Sequence, residues 1–263
     1  MIKFFRRIRF DLMEKNKTRK YLKYAIGEIG LVVIGILIAL QINTWNELRK
    51  ERQSEIKYFQ SLKLDLETDL VNLDFIMEDR QKKGSSAVQL LSLEPPKSVA
   101  QLKVFDSLLG NVFGWTSFTP RTNTLDELIS SGSLNKIKND SVKLYLLSNR
   151  EKNEKITLYR AHMRREYEQY LYDPSTSILV YGAFVDFEKS YAQRKNIRTE
   201  LTDEQQLEYI TGADLFLKDK VIRNGLRLAI WNNLGLYQTS SLLKADVEKL
   251  INFIDEDING NKD

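Results

Sequence analysis

One histidine and no cysteine stand among 263 residues that include 36 Asp and Glu. Catalytic zinc draws mainly on His and Cys, so this composition argues against it. The lack of cysteine removes disulfides, thiolate metal sites and cysteine nucleophiles, and leaves the compartment open. His162 sits in a helical pattern among Arg160, Arg164 and Arg165 and reads as a surface residue. The "SSGS" of residues 130–133 offers hydroxyls beside a glycine, which a helix C-cap explains equally well. Asp65, Glu67 and Asp69 alternate like a catalytic set, but on a helix they read as its solvated face. A glycosidase-type carboxylate pair converges from distant segments, and no two of 36 candidates stand out. P-loop, dinucleotide fingerprint and nucleophile elbow are all missing. No catalytic, cofactor-binding or metal-ligating residue is assigned, no cofactor is expected, and the chain is read as not an enzyme.

Two other groups of residues suit contact rather than catalysis. Trp115, Phe118 and Arg121 fall in "GNVFGWTSFTPRTNT", an irregular stretch rich in turn formers. Aromatics and Arg anchor interfaces, so these three form a candidate interaction loop. Packing against neighbouring helices is the alternative. The second group lies in "LKYAIGEIGLVVIGILIALQINTWNE", where Glu28, Gly35 and Ala39 share a narrow helical stripe. Gly35-x-x-x-Ala39 lets a second backbone approach closely, and a carboxylate on that face would be shielded from lipid by a partner helix. Alternatively, Glu28 lies close enough to the cytoplasmic headgroups to meet water or Lys23.

The element that carries this stripe decides the architecture. From Ile26 to Ile42, eleven of seventeen positions are Ile, Leu or Val. At roughly −0.3 to −0.6 kcal/mol each they contribute about −3 to −7 kcal/mol to insertion, against about +2.5 to +3.5 for one acidic group at a helix centre. Tyr21 and Tyr24 precede the run and Trp45 follows it, as interfacial aromatics do. A membrane span is expected over residues 24–45. The net charge of +4 is distributed unevenly: residues 1–23 hold nine Lys/Arg and two Asp/Glu, and the remainder is slightly acidic. A basic tail rather than a basic domain surface argues against nucleic acid. Within the tail, Phe5, Ile8 and Leu12 face one side and Arg6, Arg7 and Arg9 surround them, a short amphipathic segment for the cytoplasmic interface. After the span only Arg49, Lys50, Arg52 and Lys57 occur before residue 60, so the positive-inside rule places the N-terminus in the cytoplasm. "ALQINTW" lacks the small residues of a cleavage site, which favours an uncleaved signal anchor.

Beyond the span the pattern is helical. Phe59, Leu62, Leu66, Leu70, Leu73 and Met77 form an apolar stripe in a juxtamembrane helix, residues 46–83, ended by a loop from Gly84 to Val99. Ser98 with Gln101 caps a helix carrying Leu102, Phe105, Leu108 and Leu109. Thr124 with Glu127 forms a capping box, and Gly132 occupies the C′ position that closes the short helix. A long segment from Asp140 to Tyr172 carries Val142, Leu146, Ile156 and Met163 and ends at Pro174. "SILVYGAFVDF" resembles a strand, but its isolation argues for an extended loop. Thr202 with Gln205 caps another helix. The last pattern, Asp219 to Ile258, runs through Ile222, Leu226, Leu243, Val247, Leu250 and Ile254, before a polar "NGNKD" tail. The fold class is mainly α: a single-pass anchor continuing into a long helix and a helical bundle in residues 84–263, with the three long helices as its main members.

"KYLKYAIGEIGLVVIGILIALQINTWNE" after "MIKFFRRIR", and "TLDELISSGSLNKIKN" at residues 124–139, resemble an uncharacterised membrane-protein family of Bacteroidetes, domain of unknown function 6090. In the second block the pattern falls on Thr124, Leu128, Ser131 with Gly132, and Leu134 with Ile137. Gly30 departs from it where a bulky apolar residue is expected. The resemblance implies a single-pass protein with a large helical domain outside the cytoplasm, and brings no activity or substrate. The expected partners are the lipid bilayer and either a second copy or an envelope protein. The expected location is the bacterial inner membrane with a periplasmic C-terminal domain. A sensor or regulatory subunit acting through a membrane partner is the alternative.

Overall fold

The computed structural model describes Phe10 and residues 18–260, and the chain divides into two compact units between Tyr58 and Phe59. The amphipathic reading of Phe5, Ile8, Leu12, Arg6, Arg7 and Arg9, and the tail at 261–263, lie outside the described residues. Among those described the protein is mainly helical and contains no strand; one isolated antiparallel bridge joins Val185 and Arg198.

The first unit consists of the opening part of helix α1 (Thr18–Ser92). All eleven Ile, Leu and Val side chains between Ile26 and Ile42 are exposed. Gly35 and Ala39 are exposed too, and a Cβ built on Gly35 would meet nothing within 4 Å. Glu28 is half-buried. Trp45 is exposed with the Arg49 guanidinium 5.9 Å from its ring centre. The side chains of Tyr21 and Tyr24 lie outside the described residues.

In the second unit α1 presents a seam at alternating three- and four-residue steps: Phe59, Leu62, Leu66, Asp69, Leu73, Ile76, Arg80, Lys83, Ala87 and Leu90, all buried. The helix therefore does not stop at Gly84, where a loop is expected from the sequence, but continues to Ser92. Two things carry it through. The seam resumes at Ala87 and Leu90, and its charged positions are hydrogen-bonded. Arg80 Nη2 donates to Thr116 O at 2.5 Å and its Nη1 to Asn233 Oδ1 at 3.3 Å. Lys83 pairs with Asp79 at 3.0 Å. Leu70 and Met77, expected on the stripe, flank it instead and are half-buried.

Helix α2 (Val99–Phe113) starts where expected: Ser98 Oγ accepts from Gln101 N, and Gln101 Oε1 accepts from Lys97 N. It extends three residues past Gly110, into the stretch read as irregular. Helix α3 (Asn123–Ser130) corrects the capping box, because its N-cap is Thr122 and no side chain caps it. The Thr124 hydroxyl donates instead to Asp65 Oδ2 at 2.5 Å, and Glu127 lies on an exposed turn. Gly132 does adopt the left-handed conformation, φ +70°, and its N–H donates to Ile129 O. A short 3₁₀ turn, Ser133–Lys136, follows.

Helix α4 (Asp140–Tyr167) opens under Asn139, whose side chain accepts from Val142 N. The helical path does not stop at Pro174. A π-turn (Glu168–Tyr172) leads directly into a further helical turn, α5 (Asp173–Thr176), with Pro174 in its first positions, where proline is tolerated. "SILVYGAFVDF" forms turns rather than a strand, with Leu179 and Phe184 buried. Helix α6 (Phe187–Gln193) is short. Helix α7 (Asp203–Lys218) carries the complete Thr202–Gln205 capping box and packs Phe216 and Tyr209 edge-on against Phe105 of α2. Asp219 breaks the helix, and its carboxylate accepts from Ile222 N as α8 (Lys220–Gly260) begins.

The long helices meet along polar seams as well as apolar ones. On α8 buried positions at 222, 226, 229, 233, 236, 240, 243, 247, 250 and 254 keep the same three–four rhythm, with Gly225 and Asn232 buried beside them. Lys63 bonds Asp255 at 2.6 Å and Lys244 bonds Asp74 at 2.5 Å, so α8 runs antiparallel to this part of α1. Asn139–Asp257, Lys152–Asp246 and Glu166–Asn232 set it antiparallel to α4 in the same way. The π-turn packs closely on α8: a Cβ added to Gly225 would stand 2.6 Å from Tyr170 O. A residue larger than glycine does not fit there.

Candidate functional site

Between α1, α3, α4 and α8 the seams separate around a cavity of about 560 Å³. Leu62 and Leu66 of α1, Leu146 of α4 and Leu243, Val247 and Leu250 of α8 give it aliphatic walls. Its polar groups come from the same seams. Asp65 and Asp69 lie three and seven residues after Leu62, so the helical repeat turns both toward the apolar face. Asn149 and Asn153 follow Leu146 by three and seven residues and reach the cavity by the same geometry.

Asp69 is only 5% exposed, and both of its oxygens accept from the backbone N–H of Arg121, at 3.1 and 3.2 Å. Burial pushes its carboxyl from the ordinary 3.8 up to about 6; the Arg121 N–H opposes the rise and the charge of Asp65 adds to it. The loop after α2 is thus held over the cavity by a side chain that reads, from sequence, as part of a solvated face. That reading is corrected for Asp69, which is buried, and for Asp65, which is half-buried and engaged by Thr124. Glu67 is exposed as expected.

Asn149 is the more unusual residue. It is 6% exposed, and neither Nδ2 nor Oδ1 has a hydrogen-bond partner among the described residues; Asn153 Oδ1 is buried and unpartnered as well. A buried polar group left unpaired costs about 1–3 kcal/mol. Two asparagines at seam positions, where Leu would pack, are therefore a cost to the fold unless water or a ligand meets them. Around the opening stand Asp126 and Glu154, balanced in part by Arg121 and Arg150. The arrangement can hold a small molecule by apolar contact, offer it one amide donor and two carbonyl acceptors, and exchange a proton at Asp69 near pH 6.

The residues singled out from sequence are distributed unevenly around this site. Arg121 and Thr124 are brought to it, through a backbone N–H and a hydroxyl. Phe118 is buried, 3% exposed, with its carbonyl accepting from Arg160 Nη1 at 2.8 Å, so its side chain packs against the bundle. Trp115 stays 44% exposed, edge-on to Tyr167. His162 lies on an exposed face beside Glu166, 3.1 Å away. Sequence reasoning missed Asp65, Asp69, Asn149 and Asn153. The signal that would have found Asp69 and Asn149 is their place in the three–four rhythm.

No curated protein and no solved structure matches the chain. Residues 28–210 match a family described as "Family of unknown function (DUF6090)", a stretch that includes Asp65, Asp69, Asn149 and Asn153, and the chain belongs to that family.

Proposed function

We propose that this is a membrane-anchored binding protein whose helical second unit works outside the cytoplasm. The observation that carries the reading is the exposure of every Ile, Leu and Val from Ile26 to Ile42. Eleven Ile, Leu and Val side chains lie there in the open. At about 1.5–3 kcal/mol per buried aliphatic side chain, water contact forfeits roughly 15 kcal/mol or more, comparable with or above the 5–15 kcal/mol that stabilises an ordinary fold. A bilayer removes that penalty. Nine Lys and Arg before the run against four soon after it support a cytoplasmic N-terminus, and hence a periplasmic second unit in a bacterial inner membrane.

The second unit is read as the part that meets a ligand, an envelope protein or another copy, and the Glu28, Gly35 and Ala39 stripe as the contact face within the bilayer. No nucleic acid and no catalysis enter this reading. A sensor or regulatory subunit is the second reading, favoured by one fact: the helix that supplies Asp65 and Asp69 is the helix that carries the apolar run. The test is fractionation of the full chain, with alkaline phosphatase or a green fluorescent protein fused after Asp263. Retention in membranes through alkaline carbonate, release by detergent, and activity of the phosphatase fusion alone are expected. Recovery in the soluble fraction, or fluorescence without phosphatase activity, overturns the proposal.

A further inference from the structure

We infer that the cavity between α1, α4 and α8 is a binding site for a small aliphatic molecule carrying a carboxamide. This deepens the proposed binding role by naming a site and a ligand class, and holds on whichever side of a membrane the second unit lies.

The ligand class follows from matching what the cavity leaves unpaired. Asn149 contributes one donor, Nδ2, and one acceptor, Oδ1; Asn153 contributes a second acceptor, Oδ1. An ammonium group has donors only and would leave Nδ2 unmet. A carboxylate has acceptors only and would leave both oxygens unmet. It would also face Asp65, Asp69, Asp126 and Glu154, which outnumber Arg121 and Arg150. A carboxamide has a carbonyl for Nδ2 and two N–H bonds for the two oxygens. It satisfies all three groups and adds no charge. The aliphatic half follows from Leu62, Leu66, Leu146, Leu243, Val247 and Leu250. A cavity of about 560 Å³ falls within the size range of small-molecule sites.

Two sources share this chemistry, a free aliphatic amide and a C-terminally amidated peptide bearing an aliphatic side chain. Hexanamide and N-acetyl-leucinamide represent them, and both are soluble enough to limit partition into lipid. The full chain in nanodiscs is titrated with each by calorimetry and by saturation-transfer NMR, with empty nanodiscs as the blank. Hexanoate and hexylammonium are the charged comparisons. One saturable site is expected for at least one amide, with hexanoate and hexylammonium each about tenfold weaker or more, as loss of one or two hydrogen bonds implies. Tighter binding of hexanamide identifies the free amide as the source, and tighter binding of N-acetyl-leucinamide the peptide.

Asn149→Leu should abolish binding and leave the ligand-free thermal midpoint unchanged or higher, because it removes an unpaired buried amide. Should that variant fail to fold, Thr157→Trp, which fills the mouth from an exposed position on α4, should abolish binding by itself. Tyr191→Ser, 90% exposed on α6, should bind as the parent does. The inference is overturned if neither amide binds above the blank, if hexylammonium or hexanoate binds as tightly as the better amide, or if Thr157→Trp binds undiminished. None of these results bears on membrane retention, so this site and the anchored reading fail separately.

Discussion

Replacing Asp69 with Asn tests whether a buried carboxylate really holds the loop after α2 over the cavity. The carboxyl is raised from 3.8 to about 6 chiefly by burial. The native state therefore binds more protons than the unfolded chain between those values. As pH rises through that window the group's contribution to stability falls, and above about 6 the penalty is complete. At about 1.4 kcal/mol per pH unit the full penalty is roughly 3 kcal/mol, an upper figure. Asn keeps the shape and one oxygen to accept from Arg121 N, and gives up the other, a loss of about 1 kcal/mol. The net expectation is that D69N is more stable than the parent by about 2 kcal/mol at pH 8. Near pH 4 the two should agree within about 1 kcal/mol.

Thermal unfolding of the full chain followed by circular dichroism reads this directly. For a unit of 150–250 residues each kcal/mol moves the midpoint about 2–4 °C, so the gap at pH 8 should be about 4–8 °C and should close as pH falls. The groups around Asp69 that titrate or carry charge are Asp65 on its own helix, Arg121 in the loop, Asp126 on α3 and Arg150 and Glu154 on α4. Of these, Asp65 pushes Asp69 up and Arg121 pulls it down. Following the Asp69 carboxyl carbon by NMR separates it from the rest, with a midpoint near 6 expected. A midpoint near 4, or a D69N variant destabilised equally at pH 5 and pH 8, refutes the argument, because Asp69 would then be a solvated or favourably paired carboxylate.

Gly84→Ala should raise stability by about 0.5–1 kcal/mol in denaturant unfolding, because the residue is inside a helix and an added Cβ meets only Asn233 Cβ at 3.9 Å. Gly225→Ala should lower it by about 1–3 kcal/mol, because its Cβ would press on Tyr170 O and on Leu171; a neutral result would mean that the π-turn is not held against α8. Gly132→Val should lose about 1–2 kcal/mol or more from backbone strain alone, since open space surrounds the position and φ is +70°; an unchanged thermal midpoint counts against the left-handed cap. In membranes, Gly35→Leu should sharply reduce crosslinking of the full chain while Glu28→Gln changes it less, as a contact of about 0.6–2 kcal/mol through that stripe requires; equal crosslinking of parent and G35L at matched expression removes self-association through the span.

How far the sequence reveals this architecture depends on which residues occupy the seams. The run from Ile26 to Ile42 is legible because every position that matters is apolar, and the capping pairs at Ser98 and Thr202 are legible because both partners are adjacent in sequence. The Thr124 pair has the same spelling and fails, because Asp65, 59 residues away, takes its hydroxyl. The end of α1 fails for a related reason. Counting only apolar residues, the stripe fades after Met77 and a Gly-Ser-Ser triplet looks like a stop.

Counting positions instead, the three–four rhythm runs unaltered from Phe59 to Leu90, with Asp69, Arg80 and Lys83 as members. Charges are tolerated on a seam only when acceptors or donors reach them. Those partners come from Thr116 for Arg80 and from Arg121 for Asp69, 36 and 52 residues later, with Asn233, 153 residues later, also meeting Arg80. No local pattern contains that information. The rhythm does contain a weaker form of it: a polar residue on a seam position must be paired in the fold, by a ligand, or not at all. Arg80 and Lys83 fall in the first class, and Asp69 joins them through Arg121. Asn149 is left without a partner among the described residues, and that is why the cavity beside it, rather than the exposed aromatic at Trp115, is the place where this chain's function should be sought.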